Sequence, residues 1–147
     1  MTDLGHHAAS LKPHIVLLYC SRCVTRTPST TPATVHGDGC SVLLDMLPCS
    51  SKVETSHLLR IIEQGADGVE VVCCPLGACQ CIDGNVRADK RIEYARRFLG
   101  QIGIGADRLG LTHGAALSVD DLVGFAAKRA QAVATLGANP MKGEHTL

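Results

Sequence analysis

The chain has no tryptophan and only two phenylalanines and two tyrosines among 147 residues. That scarcity removes the aromatic platforms on which single-stranded nucleic acid stacks. An excess of charge is also missing, because 14 Lys and Arg balance 14 Asp and Glu. A net charge of zero lacks the electrostatic footprint expected when the main partner is nucleic acid or an anionic membrane surface. No apolar run approaches the ~20 residues of a membrane helix, so no membrane insertion is expected. The opening stretch MTDLGHHAASLKPH lacks a charged segment followed by an apolar one, and it does not read as a secretory signal. A nucleophile elbow, a Walker loop and carboxylates paired at catalytic spacing are absent too, so no catalytic residue is expected. These absences point to a cytoplasmic protein, in a compartment where thiols stay reduced.

Cysteine, by contrast, is abundant: there are eight, and four of them fall in VEVVCCPLGACQC, residues 69–81. The chain is long enough to bury a hydrophobic core as one domain, so it does not need disulfides to hold it together. In a reducing compartment such a cluster reads as metal-binding or catalytic.

Four apolar runs read as strands: HIVLLYC (14–20), CSVLLDMLPC (40–49), GVEVVCC (68–74) and the weaker RLGLTH (108–113). Near-continuous apolar runs suit a parallel sheet covered on both faces. Between them lie helical patterns. Ser51 and Glu54 have capping-box spacing, and the helix that follows stops at the glycines of EQGADG. From Asn85 to Gly103, the residues Ala88, Ile92, Ala95, Leu99 and Ile102 form one apolar stripe, with Arg87, Lys90, Arg91, Arg96 and Arg97 largely elsewhere on the helix. A last helix starts at Ser118, with Asp121 three residues on. The predicted fold is a small α/β domain with a four-stranded, mostly parallel sheet flanked by helices. The segment VTRTPSTTPATVHGDG (24–39) is nearly devoid of apolar residues and reads as a long irregular loop after the first strand. Residues 1–12 are expected to be a flexible N-terminal segment, 13–137 the domain, and 138–147 a C-terminal tail.

On this scaffold Cys20, Cys49, Cys73 and Cys74 fall at strand ends, with Cys23 and Cys79 on the loops that follow. In a parallel sheet all carboxyl ends share one edge, where ligand sites form. Sequence-distant thiols therefore converge there. Cys49, just before the predicted helix, would meet the positive end of a helix dipole. Pro75 and Gly77 favour a tight loop whose N–H groups point at sulfur. Four thiolates suit either zinc or an iron–sulfur centre. Ligands on the functional edge of a domain with an adequate core favour iron–sulfur.

These residues resemble the delta subunit family of methyl-viologen-reducing hydrogenase, also called hydrogenase iron–sulfur subunit. The likeness rests on Cys20-Ser-Arg-Cys23, the pair Cys49-Ser50, EQGADGV (63–69), the Cys74-to-Cys79 loop and GNVRADKR (84–91), and it covers residues 13–136. It implies an electron-transfer domain with a [2Fe-2S] cluster and no substrate chemistry of its own. Its family cysteines here are Cys20, Cys23, Cys49, Cys74 and Cys79, four of the five serving as iron ligands. The partners implied are a flavoprotein resembling the A subunit of heterodisulfide reductase and an electron-input enzyme of hydrogenase or formate dehydrogenase type. Related subunits also occur in benzoyl-CoA reductase complexes. Where the family reads GCHPGDCH this chain has CCPLGACQ (73–80), so the host complex is open.

The remaining residues have plainer readings. Cys73 reads as a buried structural thiol and Cys40 as structural at the far sheet edge, while Cys81 stands as a further ligand candidate or a small turn residue. His113 ends the fourth run on the same edge as the cysteines, His57 belongs to a helix, and RADKRIEYARR (87–97) reads as a solvated face. Two rival functions remain: a thiol–disulfide oxidoreductase using Cys20 and Cys23, and a zinc-stabilised scaffold.

Overall fold

A computed structural model describes residues 12–26, 33–37, 39–75 and 84–142. The strands are β1 (His14–Cys20), β2 (Ala33–Gly37), β3 (Cys40–Leu47), β4 (Gly68–Cys73) and β5 (Leu109–His113), and they form one sheet in the order β2-β3-β1-β4-β5. The pairs β1–β3, β1–β4 and β4–β5 are parallel, and β2 runs antiparallel to β3. The mixed α/β class and mostly parallel sheet expected from the apolar runs are present. The strand count is five rather than four.

The extra strand lies inside the Thr/Pro/Gly-rich segment, which is therefore not irregular throughout. Ala33 faces Leu44 and Gly37 faces Cys40 across the ladder, and Gly39 takes a φ of +72° beside the turn. An edge strand draws its stability from backbone hydrogen bonds and needs one buried face at most. Val35 alone supplies an apolar side chain of size here, partly buried against the core. Apolar periodicity had too little to register.

Helix α1 (Thr55–Glu63) follows a single 3-10 turn, Ser50–Lys52. The Ser51–Glu54 capping box is not formed: Glu54 itself occupies the N-cap without a side-chain cap bond, and Ser51 turns back to Cys49. Helix α2 (Gly84–Gln101) buries Ala88, Ile92, Ala95 and Leu99 as expected. Ile102 does not belong to that stripe. It lies past the helix end and is half exposed. Helix α3 (Val119–Ala134) opens with the expected capping box, Asp121 N–H donating to Ser118 Oγ at 3.1 Å and Ser118 N–H to Asp121 Oδ2 at 2.9 Å.

The helices cover the sheet on both faces. Leu122, Ala126, Ala130 and Val133 of α3 pack on Ile15, Leu17, Tyr19, Val42 and Val72, while Leu58 and Ile62 of α1 join the buried face of α2 on Val16, Leu18, Val69 and Val71. Covered on both sides, the central strands β1 and β4 are buried nearly throughout. This is why they read as continuous apolar runs.

At the amino ends of the strands, Arg108 is 1% exposed. Its guanidinium donates to the carbonyls of Ile104 and Asp67 at 3.0 Å and of Gly137 at 3.0 Å. The Asp67 carboxylate accepts from His14 N–H at 2.8 Å, from Asn139 N–H at 2.9 Å and from Lys142 Nζ. Asn139 is itself buried and donates to the carbonyls of Ile62 and Ala66. Residues 138–142 are thus fastened to the edge of the sheet opposite the cysteines.

Candidate metal centre

Because β1, β3, β4 and β5 are mutually parallel in the order given, their carboxyl ends lie along one edge. Cys20 is the last residue of β1, paired with Leu47, and Ser21 N–H donates to Leu47 O at 2.8 Å. A tight turn, Cys23 N–H to Cys20 O at 3.0 Å, brings Cys23 back over the strand end. The next residues are tied to the loop before α3: Leu117 N–H donates to Cys23 O and Thr25 N–H to Leu117 O. Cys74 follows β4 directly.

These placements bring three thiols together. Cys20 Sγ lies 3.9 Å from Cys74 Sγ, Cys23 Sγ lies 3.8 Å from Cys74 Sγ, and all three sulfurs fall within 4.8 Å of one another. All three are buried, 2%, 0% and 6% exposed in chain order. A metal with bonds of about 2.3 Å to tetrahedral thiolates sets its sulfurs about 3.8 Å apart. The trio therefore fits a thiophilic metal centre, both in spacing and in donor chemistry. Among the described residues it is the only group of this kind.

The electrostatics separate the thiols. Cys20 is pushed down to about 5, chiefly by the Cys23 thiol donating to it; burial opposes this, and N–H groups of Arg22 and Ser50 assist. Cys23 is pushed up because it is that donor and is buried beside Cys20 and Cys74. Of this pair, Cys20 is thus the thiol that ionises more readily. Its burial denies it to an external disulfide, since exchange needs access as well as a low pKa.

Cys49 is buried on the same edge, at the head of the 3-10 turn, where Ser51 N–H and Ser51 Oγ approach its Sγ at 3.5 and 3.3 Å. Its expected helix dipole is replaced by these two local donors, because α1 does not begin until Thr55. Cys79 and Cys81, like Gly77, lie outside the described residues. Cys73 is fully buried but packs into the opposite face of the sheet from Cys74, as alternation along a strand requires. Burial pushes its thiol up to about 12. Cys40 starts β3, at the far edge.

Four residues have contacts that the sequence does not reveal: His113, Asn85 and Arg91 near the cysteines, and Arg96 away from them. His113 Nδ1 lies 2.9 Å from Cys74 O, so its position at the end of β5 does bring it to the cysteine segment. Asn85 Nδ2 donates to the carbonyls of Cys74 and Pro75 at 3.1 and 2.8 Å. Arg91 Nη1 donates to Ser51 O and Val53 O at 2.6 and 2.8 Å, and Arg96 Nη1 to Leu109 O at 2.5 Å. The basic run is therefore not simply a solvated face. Asn85 and Arg91 do fall in GNVRADKR, so the signal was present as a motif without a mechanism.

Known proteins resemble this chain over most of its length. A match to the family "Methyl-viologen-reducing hydrogenase, delta subunit" spans residues 15–137. The chain is 34% identical to the vhu iron–sulfur subunit of the F420-non-reducing hydrogenase of Methanocaldococcus jannaschii, over 77% of this chain and 79% of the relative. It is 30% identical to the iron–sulfur subunit of the F420-non-reducing hydrogenase of Archaeoglobus profundus, over 68% of this chain and 73% of the relative. It is also similar to one part of a much longer protein, the A subunit of the ferredoxin:CoB-CoM heterodisulfide reductase of Methanosarcina mazei. There the identity is 27% over 66% of this chain and 12% of that one.

Proposed function

The chain belongs to the methyl-viologen-reducing hydrogenase delta subunit family, and from that premise we propose that it is a non-catalytic electron-transfer subunit carrying a [2Fe-2S] cluster. The observation that carries this reading is the buried trio Cys20, Cys23 and Cys74 at the carboxyl edge of the sheet. Those three residues, with a fourth from Cys49 and Cys79, would hold the cluster. When bound, the cluster supplies one-electron storage at a potential set by charge, burial and hydrogen bonds to sulfur.

The chain's own residues supply the rest. Burial excludes water from the sulfurs, and Ser51 N–H and Oγ direct hydrogen bonds at Cys49. On this reading the edge stores charge and carries out no substrate chemistry of its own. Electrons therefore enter and leave through partner proteins.

The partners we infer are a hydrogenase-type electron-input enzyme and a flavoprotein resembling the A subunit of heterodisulfide reductase, within one complex in the cytoplasm. Support comes from the hydrogenase names of the relatives and from the occurrence of a similar segment inside a heterodisulfide reductase protein. A formate dehydrogenase or a benzoyl-CoA reductase type complex is the alternative host.

A second reading is favoured by one observation: three sulfurs mutually within 4.8 Å also suit a single zinc ion. One experiment separates them. Anaerobically purified protein is assayed for iron, acid-labile sulfide and zinc, and its EPR spectrum is taken after dithionite reduction. About two irons and two sulfides per chain with a reduced-state signal support the relay. Zinc without iron would sink it and leave a scaffold.

A further inference from the structure

Helix α2 begins at Gly84, ten residues after Cys74, and two of its polar side chains face inward. Asn85, in the first turn, is fully buried, and its amide donates to Cys74 O and Pro75 O. Its Oδ1 has no hydrogen-bond partner among the described residues. That amide is therefore committed as a donor, at the cost of an unpaired buried oxygen. Six residues on, a rise of ~9 Å along the axis, Arg91 clamps Ser51 O and Val53 O at the end of the turn headed by Cys49. Ala88 lies between them and is fully buried, so no larger side chain separates the helix from what it packs on. Thr55 Oγ1 returns a hydrogen bond to Arg91 O at 3.4 Å.

Two cysteine-bearing segments, from the ends of β3 and β4, are thus hung from one rigid helix. We propose that Asn85 and Arg91 are positioning residues that fix the Cys74 segment and the Cys49 turn relative to each other, and so set the reduction potential of the centre held there. The inference rests on the proposed electron-transfer reading. Its physical link is the peptide that Arg91 holds. Ser51 accepts at its carbonyl from Arg91, while its N–H and hydroxyl donate to Cys49 Sγ and the adjacent Ser50 N–H points to Cys20. Hydrogen bonds to sulfur stabilise the reduced, more negative cluster and raise its potential. Loosening the turn weakens those bonds and lowers it.

Arg96 provides an internal control. It sits on the same helix and donates in the same way to a backbone carbonyl, but to Leu109 at the amino end of β5, away from the cysteines. The test is redox-titrated EPR on the anaerobically purified full chain, with iron content and thermal midpoint measured alongside. Arg91→Ala and Asn85→Ala are expected to lower the reduction midpoint by the equivalent of about tenfold in K, roughly 59 mV for one electron, and to alter the EPR line shape. Arg96→Ala is expected to lower thermal stability while leaving midpoint and line shape as in wild type. Arg91→Lys, which can still donate to both carbonyls, is expected to restore the midpoint in part. If Arg91→Ala or Asn85→Ala does not fold, the uncharged Arg91→Gln and Asn85→Ser, which withdraw the same donors without adding a charge beside the cysteines, carry the same comparison.

Iron-loaded variants with a wild-type midpoint and spectrum would overturn the inference alone, as would an Arg96→Ala shift as large as that of Arg91→Ala. A wild-type chain that binds no iron would overturn the electron-transfer reading, and the inference with it.

Discussion

Cys23 and Cys74 are separated by 51 positions, yet their sulfurs lie 3.8 Å apart. Only Cys20 and Cys23 share a local turn; Cys74 reaches them from a separate strand. Cys23 is held by the turn after β1 and by Leu117 N–H on its carbonyl, and Cys74 by the end of β4 and the amide of Asn85. The pair is produced by the parallel register of two strands, Tyr19 against Val72.

The adjacent cysteines of β4 give the sharpest test of that geometry. Cys74→Ser removes a member of the trio and is expected to abolish most metal retention, read as metal per chain after anaerobic purification. Cys73→Ala, on the opposite face of the sheet, is expected to keep wild-type metal content and to cost about 1–2 kcal/mol from lost packing, read by urea unfolding. Equal metal loss in both variants would overturn the assignment of faces.

A buried ion pair crosses the sheet face under α3. Arg129 Nε donates to Glu70 Oε1 at 2.7 Å and Thr112 Oγ1 to Glu70 Oε2 at 2.6 Å, with Glu70 only 2% exposed. The guanidinium passes over Gly110, where an added Cβ would lie 1.6 Å from Arg129 Nη2. Gly110→Ala therefore displaces Arg129 and strands a buried carboxylate. The expected loss is about 3 kcal/mol, or roughly 6–12 °C in Tm. A loss within 0–0.5 kcal/mol, the range of an ordinary surface change, would show that the pair re-forms around the methyl.

Acid should destabilise the fold in two stages. Burial and then Lys142 lower the pKa of His14 below its ordinary 6.5, so the unfolded chain takes up that proton first. Stability from His14 is complete above pH 6.5 and falls as pH drops from there to the folded value. At Asp67, burial pushes the carboxyl up, but Lys142 and the N–H groups of Asn139 and His14 outweigh it and hold it below 3.8. Its contribution is present above that value and is lost as pH falls through the folded one. Urea midpoints measured from pH 8 to pH 3 are expected to show both steps. Asp67→Asn should remove the lower step and deepen the upper one, because the Asp67 charge raises the His14 pKa, whereas His14→Gln should remove only the upper step.

Arg108 joins three segments at the opposite edge through carbonyls alone. Arg108→Met fills similar volume but leaves those oxygens without donors, and the expected cost is about 3 kcal/mol. Arg108→Lys is expected to recover little, because an ammonium cannot span the same acceptors as a planar fork. Chemical unfolding of both variants checks this; a fully rescued lysine variant would contradict it.

Much of this was written locally. Four strands, the α2 stripe from Ala88 to Leu99 and the Ser118 cap follow from apolar runs, helical period and capping chemistry, which act over a few residues and need no knowledge of the rest of the chain. The convergence of Cys20, Cys23 and Cys74 was also within reach, since parallel strands share their carboxyl edge.

Other features were decided only when the chain closed on itself. β2 exists because the free edge of β3 offers backbone hydrogen bonds to a segment whose side chains give no sign of it. Ser51 serves Cys49 rather than a helix, and Ile102 lies outside the stripe, because α1 starts and α2 stops where packing and turn geometry dictate. The basic residues of α2 have identical chemistry in the sequence. Only the packing of α2 against the Cys49 turn and β5 makes Arg91 and Arg96 carbonyl clamps and leaves Arg97 to solvent. Sequence by itself determined which residues could bind metal and which edge would gather them. The tertiary structure decided which thiols meet and what holds them, because both depend on contacts between segments tens of residues apart.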